Sequence, residues 1–112
     1  MQSWQLTTLD APAGTRDPLV LYTGDGARAV MIRLDPGQSL GDHQVKERAW
    51  IAVVEGEVRV SADDQEATFG VGALATFDPN ERHSLTSERG ARILMLLSPW
   101  PGEGHYRGER AA

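Results

Sequence analysis

Apolar and polar residues alternate one by one along most of the chain, and Gly, Pro, Asn or Asp breaks the alternation at short intervals. From Arg28 to Leu34, Arg28, Val30, Ile32 and Leu34 fall on one side, with Ala29, Met31 and Arg33 on the other. That is the period of a strand with two unlike faces. The same reading predicts strands over Leu19 to Thr23, Trp50 to Val54, Glu57 to Ser61, Glu66 to Phe69, Leu74 to Phe77, His83 to Ser87 and Ala91 to Leu97. A short polar strand follows the Pro36-Gly37 turn, and the most apolar run, Ala91 to Leu97, is expected at the centre of a sheet. Turns are expected at Gly24-Asp25-Gly26, Asp35-Pro36-Gly37, Glu55-Gly56, Ala62 to Gln65, Asp78-Pro79-Asn80 and Glu88 to Gly90. Nowhere do apolar residues recur with helical spacing over three turns. About nine short strands with regular turns predict an all-β sandwich or barrel.

Length and composition narrow the organisation. With 112 residues, the chain suits one core. The expected division is an N-terminal arm or edge strand over 1–18, a barrel over 19–98, and a Gly/Pro-rich tail over 99–112, pinned by Trp100 and Tyr106. A net charge of −5, with acidic residues scattered among basic ones, argues against nucleic acid or an anionic membrane as partner. The absence of cysteine removes disulfides, thiolate metal ligands and a cysteine nucleophile. Neither a signal-peptide pattern nor a spanning apolar run is visible, so a cytoplasmic location is the expectation.

Candidate chemistry centres on two histidines in strand contexts, His43 after the Pro36-Gly37 turn and His83 after Asp78-Pro79-Asn80. Gly37, five residues and His43, then Gly56, make one motif; Gly72, five residues, Asp78-Pro79-Asn80, two residues and His83 make a second. In order and spacing these resemble the two motifs of the cupin superfamily, over roughly residues 19 to 98. Asp78 and Asn80 replace that pattern's Pro and Gly. The resemblance implies a small double-stranded β-helix, or jelly-roll, barrel. It also implies a divalent metal (Fe, Mn, Ni, Cu or Zn) held by two histidines and a glutamate of the first motif and the histidine of the second. Here Val45 stands at the second histidine's position and Ala49 at the glutamate's, so half of that ligand set is missing.

Two readings follow. In one, His43 and His83, with Arg33, line a pocket for a small polar metabolite, and the metal site is weak or absent. Gln44 and Arg92 are further polar candidates for that pocket. In the other, the chain is a metal-dependent dioxygenase or isomerase whose third ligand is Glu47, on the same side as His43 if residues 43 to 49 form a regular strand. Glu47 also lies between Lys46 and Arg48, the setting of a solvated rim charge, and His105 in the tail is a further candidate ligand. If Ala49, Ile51 and Val53 face inward, then Trp50, Ala52 and Val54 leave an apolar stripe outside. Such a stripe predicts a homodimer, by sheet packing or by exchange of the arm.

Overall fold

The computed structural model describes residues 1–11 and 14–102. Eight strands follow one another: β1 (Gly14–Gly24), β2 (Ala27–Leu34), β3 (Ser39–His43), β4 (Arg48–Ala62), β5 (Gln65–Gly70), β6 (Leu74–Phe77), β7 (His83–Thr86) and β8 (Ala91–Ser98). Among the described residues there is no helix, and so none long and apolar enough to cross a membrane. Every pairing is antiparallel. One sheet runs β1-β2-β8-β4-β6 and the other β3-β7-β4-β5. The predicted alternation holds in the register. Val30, Ile32 and Leu34 of β2, Ala49, Ile51 and Val53 of β4, and Ile93, Met95 and Leu97 of β8 are buried in one cluster with Val58, Val60 and Leu85 from the opposite sheet. Each large aliphatic side chain so enclosed contributes about 1.5–3 kcal/mol.

Strand β4 holds the two sheets together. Its first half pairs with β8 and β6, its second half with β5 and β7. The sequence suggests a turn at Glu55-Gly56, but the strand is continuous there. A bulge between Val53 and Glu55 and a positive φ at Gly56 (78°) bend it from one sheet into the other. Asp25 and Gly26, by contrast, form the β1–β2 hairpin turn with φ of 54° and 78°, the positive pair that a tight hairpin needs.

The described segments before β1 and after β8 are both held against the sheets. β1 begins at Gly14, within the expected arm, and residues 6 to 11 lie over the outer face of the first sheet. There Arg92 Nη1 donates to the carbonyls of Leu6 and Leu9, and Arg33 Nη1 to that of Ala11. Beyond β8, Trp100 donates its backbone N–H to Gly26 and lies under the Arg28 guanidinium, 4.0 Å from its ring centre. Gly102 reaches the wall at Lys46 and Glu47. Tyr106 lies outside the described residues.

Candidate ligand site

His43 closes β3 and His83 opens β7, and the two are direct partners across the β3–β7 ladder, just past a bulge between Leu40 and His43. Their rings meet edge to face with centroids 4.1 Å apart. On its other side the His83 ring stacks on Phe77, parallel to within 1° and 3.9 Å away. Phe77 ends β6 on the same inward side as Ala75, so three strands deliver three rings to one stack. His83 is 1% exposed, while His43 is half-buried at the sheet's end.

The backbone fixes the tautomer of both imidazoles. Nδ1 of His43 lies 2.8 Å from the carbonyl oxygen of Gly41, and Nδ1 of His83 lies 2.9 Å from that of Glu81. A carbonyl oxygen only accepts, so each Nδ1 carries a proton and donates it, which makes Nε2 the basic nitrogen of the neutral ring. Two oriented imidazoles can accept from a ligand hydroxyl or amine, relay a proton, or bind a carboxylate when protonated.

The other predicted site residues go elsewhere. Arg33 shares the outward parity of Ala29 and Met31 and holds Asp35 at 2.9 Å, so it is not brought to the histidines. Arg92, its cross-strand partner, is likewise outward, and Gln44 is exposed. Glu47 fits neither expectation made for it. The chain between His43 and Arg48 is bent rather than a regular strand, which breaks the shared parity. Glu47 is fully buried instead of solvated, and its Oε2 accepts the N–H of Gly102 at 2.7 Å. Val45 is partly buried against the core, and Ala49 is within it. Among the described residues no three His, Cys, Asp or Glu side chains converge in a way that could hold a metal ion. His43, His83 and Glu47 therefore do not form the three-ligand set that the metal-dependent reading needs. His105 lies outside the described residues. Sequence reasoning missed Phe77, although its alternation with Ala75 and its place just before the Asp78-Pro79-Asn80 turn put it on His83's side.

The cupin-domain family model matches residues 30–98, more than half of the chain. The chain belongs to the cupin family. Solved structures agree with that assignment at the level of fold. A cupin superfamily protein from Desulfitobacterium hafniense is 13% identical with a TM-score of 0.74, covering 83% of this chain and 85% of that one. An uncharacterised conserved protein with a double-stranded β-helix domain from Klebsiella pneumoniae is 15% identical with a TM-score of 0.78, covering 91% and 93%. A cupin domain from Schizosaccharomyces pombe is 10% identical with a TM-score of 0.77, covering 95% and 80%. No curated protein matches the sequence. The two facing sheets are thus a cupin double-stranded β-helix.

Proposed function

We propose that this cupin binds a small polar metabolite in its barrel through the paired imidazoles of His43 and His83. The observation that carries the reading is the direct cross-strand pairing of the two rings, centroids 4.1 Å apart, each oriented by its own backbone. Placing an imidazole as buried as His83 among apolar side chains costs free energy that an alanine or valine there would not, which favours a ring kept for its polar atoms. Half-buried His43 is the member that meets the ligand from solvent. The outward stripe of Trp50, Leu74 and Leu96 supports a homodimer, since two-fold packing covers the same patch on both copies.

Thermal-shift and calorimetric screening of small hydroxy, amino and carboxylic metabolites tests the reading, with elemental analysis of protein purified without chelators. The expected result is a metal-free protein stabilised by a ligand, by about 2.7 kcal/mol at a concentration a hundredfold above Kd. His43→Ala should weaken that ligand at least about tenfold, the loss of one charge-assisted hydrogen bond. A ligand bound equally well by His43→Ala would refute it. A stoichiometric transition metal, lost from both His43→Ala and His83→Ala, would reject it in favour of a metal site at the two histidines.

A further inference from the structure

Strands β5 and β6 each pair with β4 alone, one in each sheet, so the sandwich is split lengthwise between them. Backbone hydrogen bonds between Val53 and the Gly72-Ala73 turn close one end of the split. What remains is a cleft of about 140 Å³, with apolar walls of Val60, Ala62, Ala67, Phe69, Ala75 and Phe77. Cavities of about 150 Å³ lined by apolar side chains admit a benzene ring. Among the described residues, the ionisable side chains lining this cleft are two carboxylates, Glu66 and Glu81, with no Lys, Arg or His. Glu66 is tied only loosely to Arg59, at 3.5 Å with both side chains more than half exposed, a pairing of little strength in water. Glu81 is held at the rim because its Oε1 accepts the Asp78 N–H at 2.8 Å. Phe77 joins the cleft to the stack, since the ring that lines the cleft also packs on His83.

We propose that this cleft is a subsite for a compact organic cation, an apolar body the size of a six-membered ring bearing an ammonium group. The ring lies among Ala62, Ala75 and Phe77, and the ammonium meets Glu66 and Glu81. The inference rests on the reading of the barrel as ligand-binding and gives the ligand its class. Of the metabolites that reading admits, it selects those with an aromatic or branched apolar end and a positive charge beside it.

Methyl and aromatic NMR titrations with benzylammonium, benzyl alcohol and benzoate test it, followed at Ala62, Ala67, Ala75 and Phe77. Benzylammonium should give saturable shifts at these residues and bind up to about fivefold more tightly than the isosteric alcohol for each surface carboxylate it meets. Benzoate should give none. Ala67→Leu, at an exposed edge position outside the buried core, should fill the cleft and abolish binding. The Glu66→Gln, Glu81→Gln double variant should bind the amine and the alcohol alike. Benzoate binding as tightly as the amine, binding that survives Ala67→Leu, or no saturable shift with any probe would overturn the assignment. If the last result accompanies a metabolite response that His43→Ala removes, the subsite alone falls. If that metabolite response is also absent, the barrel reading falls with it.

Discussion

The carbonyl oxygen of Gly90 lies 2.1 Å from the point that a Cβ on Gly56 would occupy, and the Cα of Ala91 lies 2.9 Å from it. This close approach falls where β4 leaves one sheet for the other, with Gly56 opposite Ala91 and Glu57 opposite Gly70. Any side chain would force the two strands apart at the joint of the barrel, and the φ of 78° is itself unfavourable for a non-glycine residue.

Gly56→Ala should therefore be among the most destabilising single changes in the protein. Left-handed strain of about 1–2 kcal/mol adds to an overpacking cost of about 1–3 kcal/mol, a large share of the roughly 5–15 kcal/mol of a whole domain. Gly72 is the control. Its φ is 94° but a Cβ there would meet nothing within 4 Å, so Gly72→Ala should carry the conformational cost alone. Urea unfolding midpoints compare the two, and equal midpoints would show that the Gly56–Gly90 contact yields easily.

Much of this fold was readable because the strands have unlike faces. The alternation puts Val30 and Ile32 on one face of β2, and in β4 it makes Trp50 outward if Ala49, Ile51 and Val53 are inward; the structure buries those five and exposes Trp50. The pairing of His43 with His83 was legible only through motif spacing, since neither ring's neighbours are local in sequence. Arg33 and Glu47 were misplaced for separate reasons. Arg33 has a clear outward parity within β2, and it was placed in the pocket for its chemistry against that parity. Glu47 sits in a bend that no pattern of apolar residues announces, and one of its partners is a backbone N–H 55 residues away, in a Gly/Pro-rich tail expected to be pinned by Trp100 and Tyr106 rather than by Glu47.

That partnership leads to a second expectation. Glu47 is fully buried and receives the Gly102 N–H at 2.7 Å, so it fastens the C-terminal segment against the barrel wall. Glu47→Ala should cost about 1–3 kcal/mol, the cost of leaving a buried donor without its acceptor. Amide exchange at Gly102 should accelerate in step. Glu47→Gln keeps an acceptor oxygen of the same reach and should lose less. Unchanged exchange at Gly102 in Glu47→Ala would show that other contacts, such as those of Trp100 and Lys46, hold the segment.

Arg33 and Arg92 face each other directly across the β2–β8 ladder, an arrangement of like charges that ordinarily destabilises a sheet. Here the guanidinium groups turn to the carbonyls of Leu6, Leu9 and Ala11 and to the Asp35 carboxylate, which offset the repulsion. Arg92→Ala removes two of those donations. It should speed amide exchange at Leu9, whose N–H closes the arm's turn onto Gln5, and cost about 0.5–1.5 kcal/mol per hydrogen bond lost. Limited proteolysis should then cut first within residues 1–11. A cleavage pattern and rate like those of the unaltered protein would mean that the arm is retained by apolar contact instead.

The outer stripe bears on assembly, and its geometry makes the test sharp. Trp50 lies opposite Leu96 on one side and Thr76 on the other, while its neighbour Ala52 lies opposite Leu74 and Leu94, so three strands contribute to one apolar strip. Trp50, Leu74 and Leu96 are 38%, 64% and 41% exposed in the single chain. A large aromatic at the centre of such a strip is the kind of residue on which an interface depends, with truncation commonly costing about 2 kcal/mol or more. In a two-fold dimer each substitution occurs twice across the interface, so the loss is about 4 kcal/mol, close to a thousandfold in dissociation constant. Trp50→Glu adds a buried charge to that loss and should convert a dimer to monomer in light scattering after size exclusion, while leaving the unfolding midpoint of the monomer almost unchanged, because the side chain lies outside the core. A monomeric wild-type protein, or a Trp50→Glu variant still dimeric at the same concentration, would remove this face from any role in self-association.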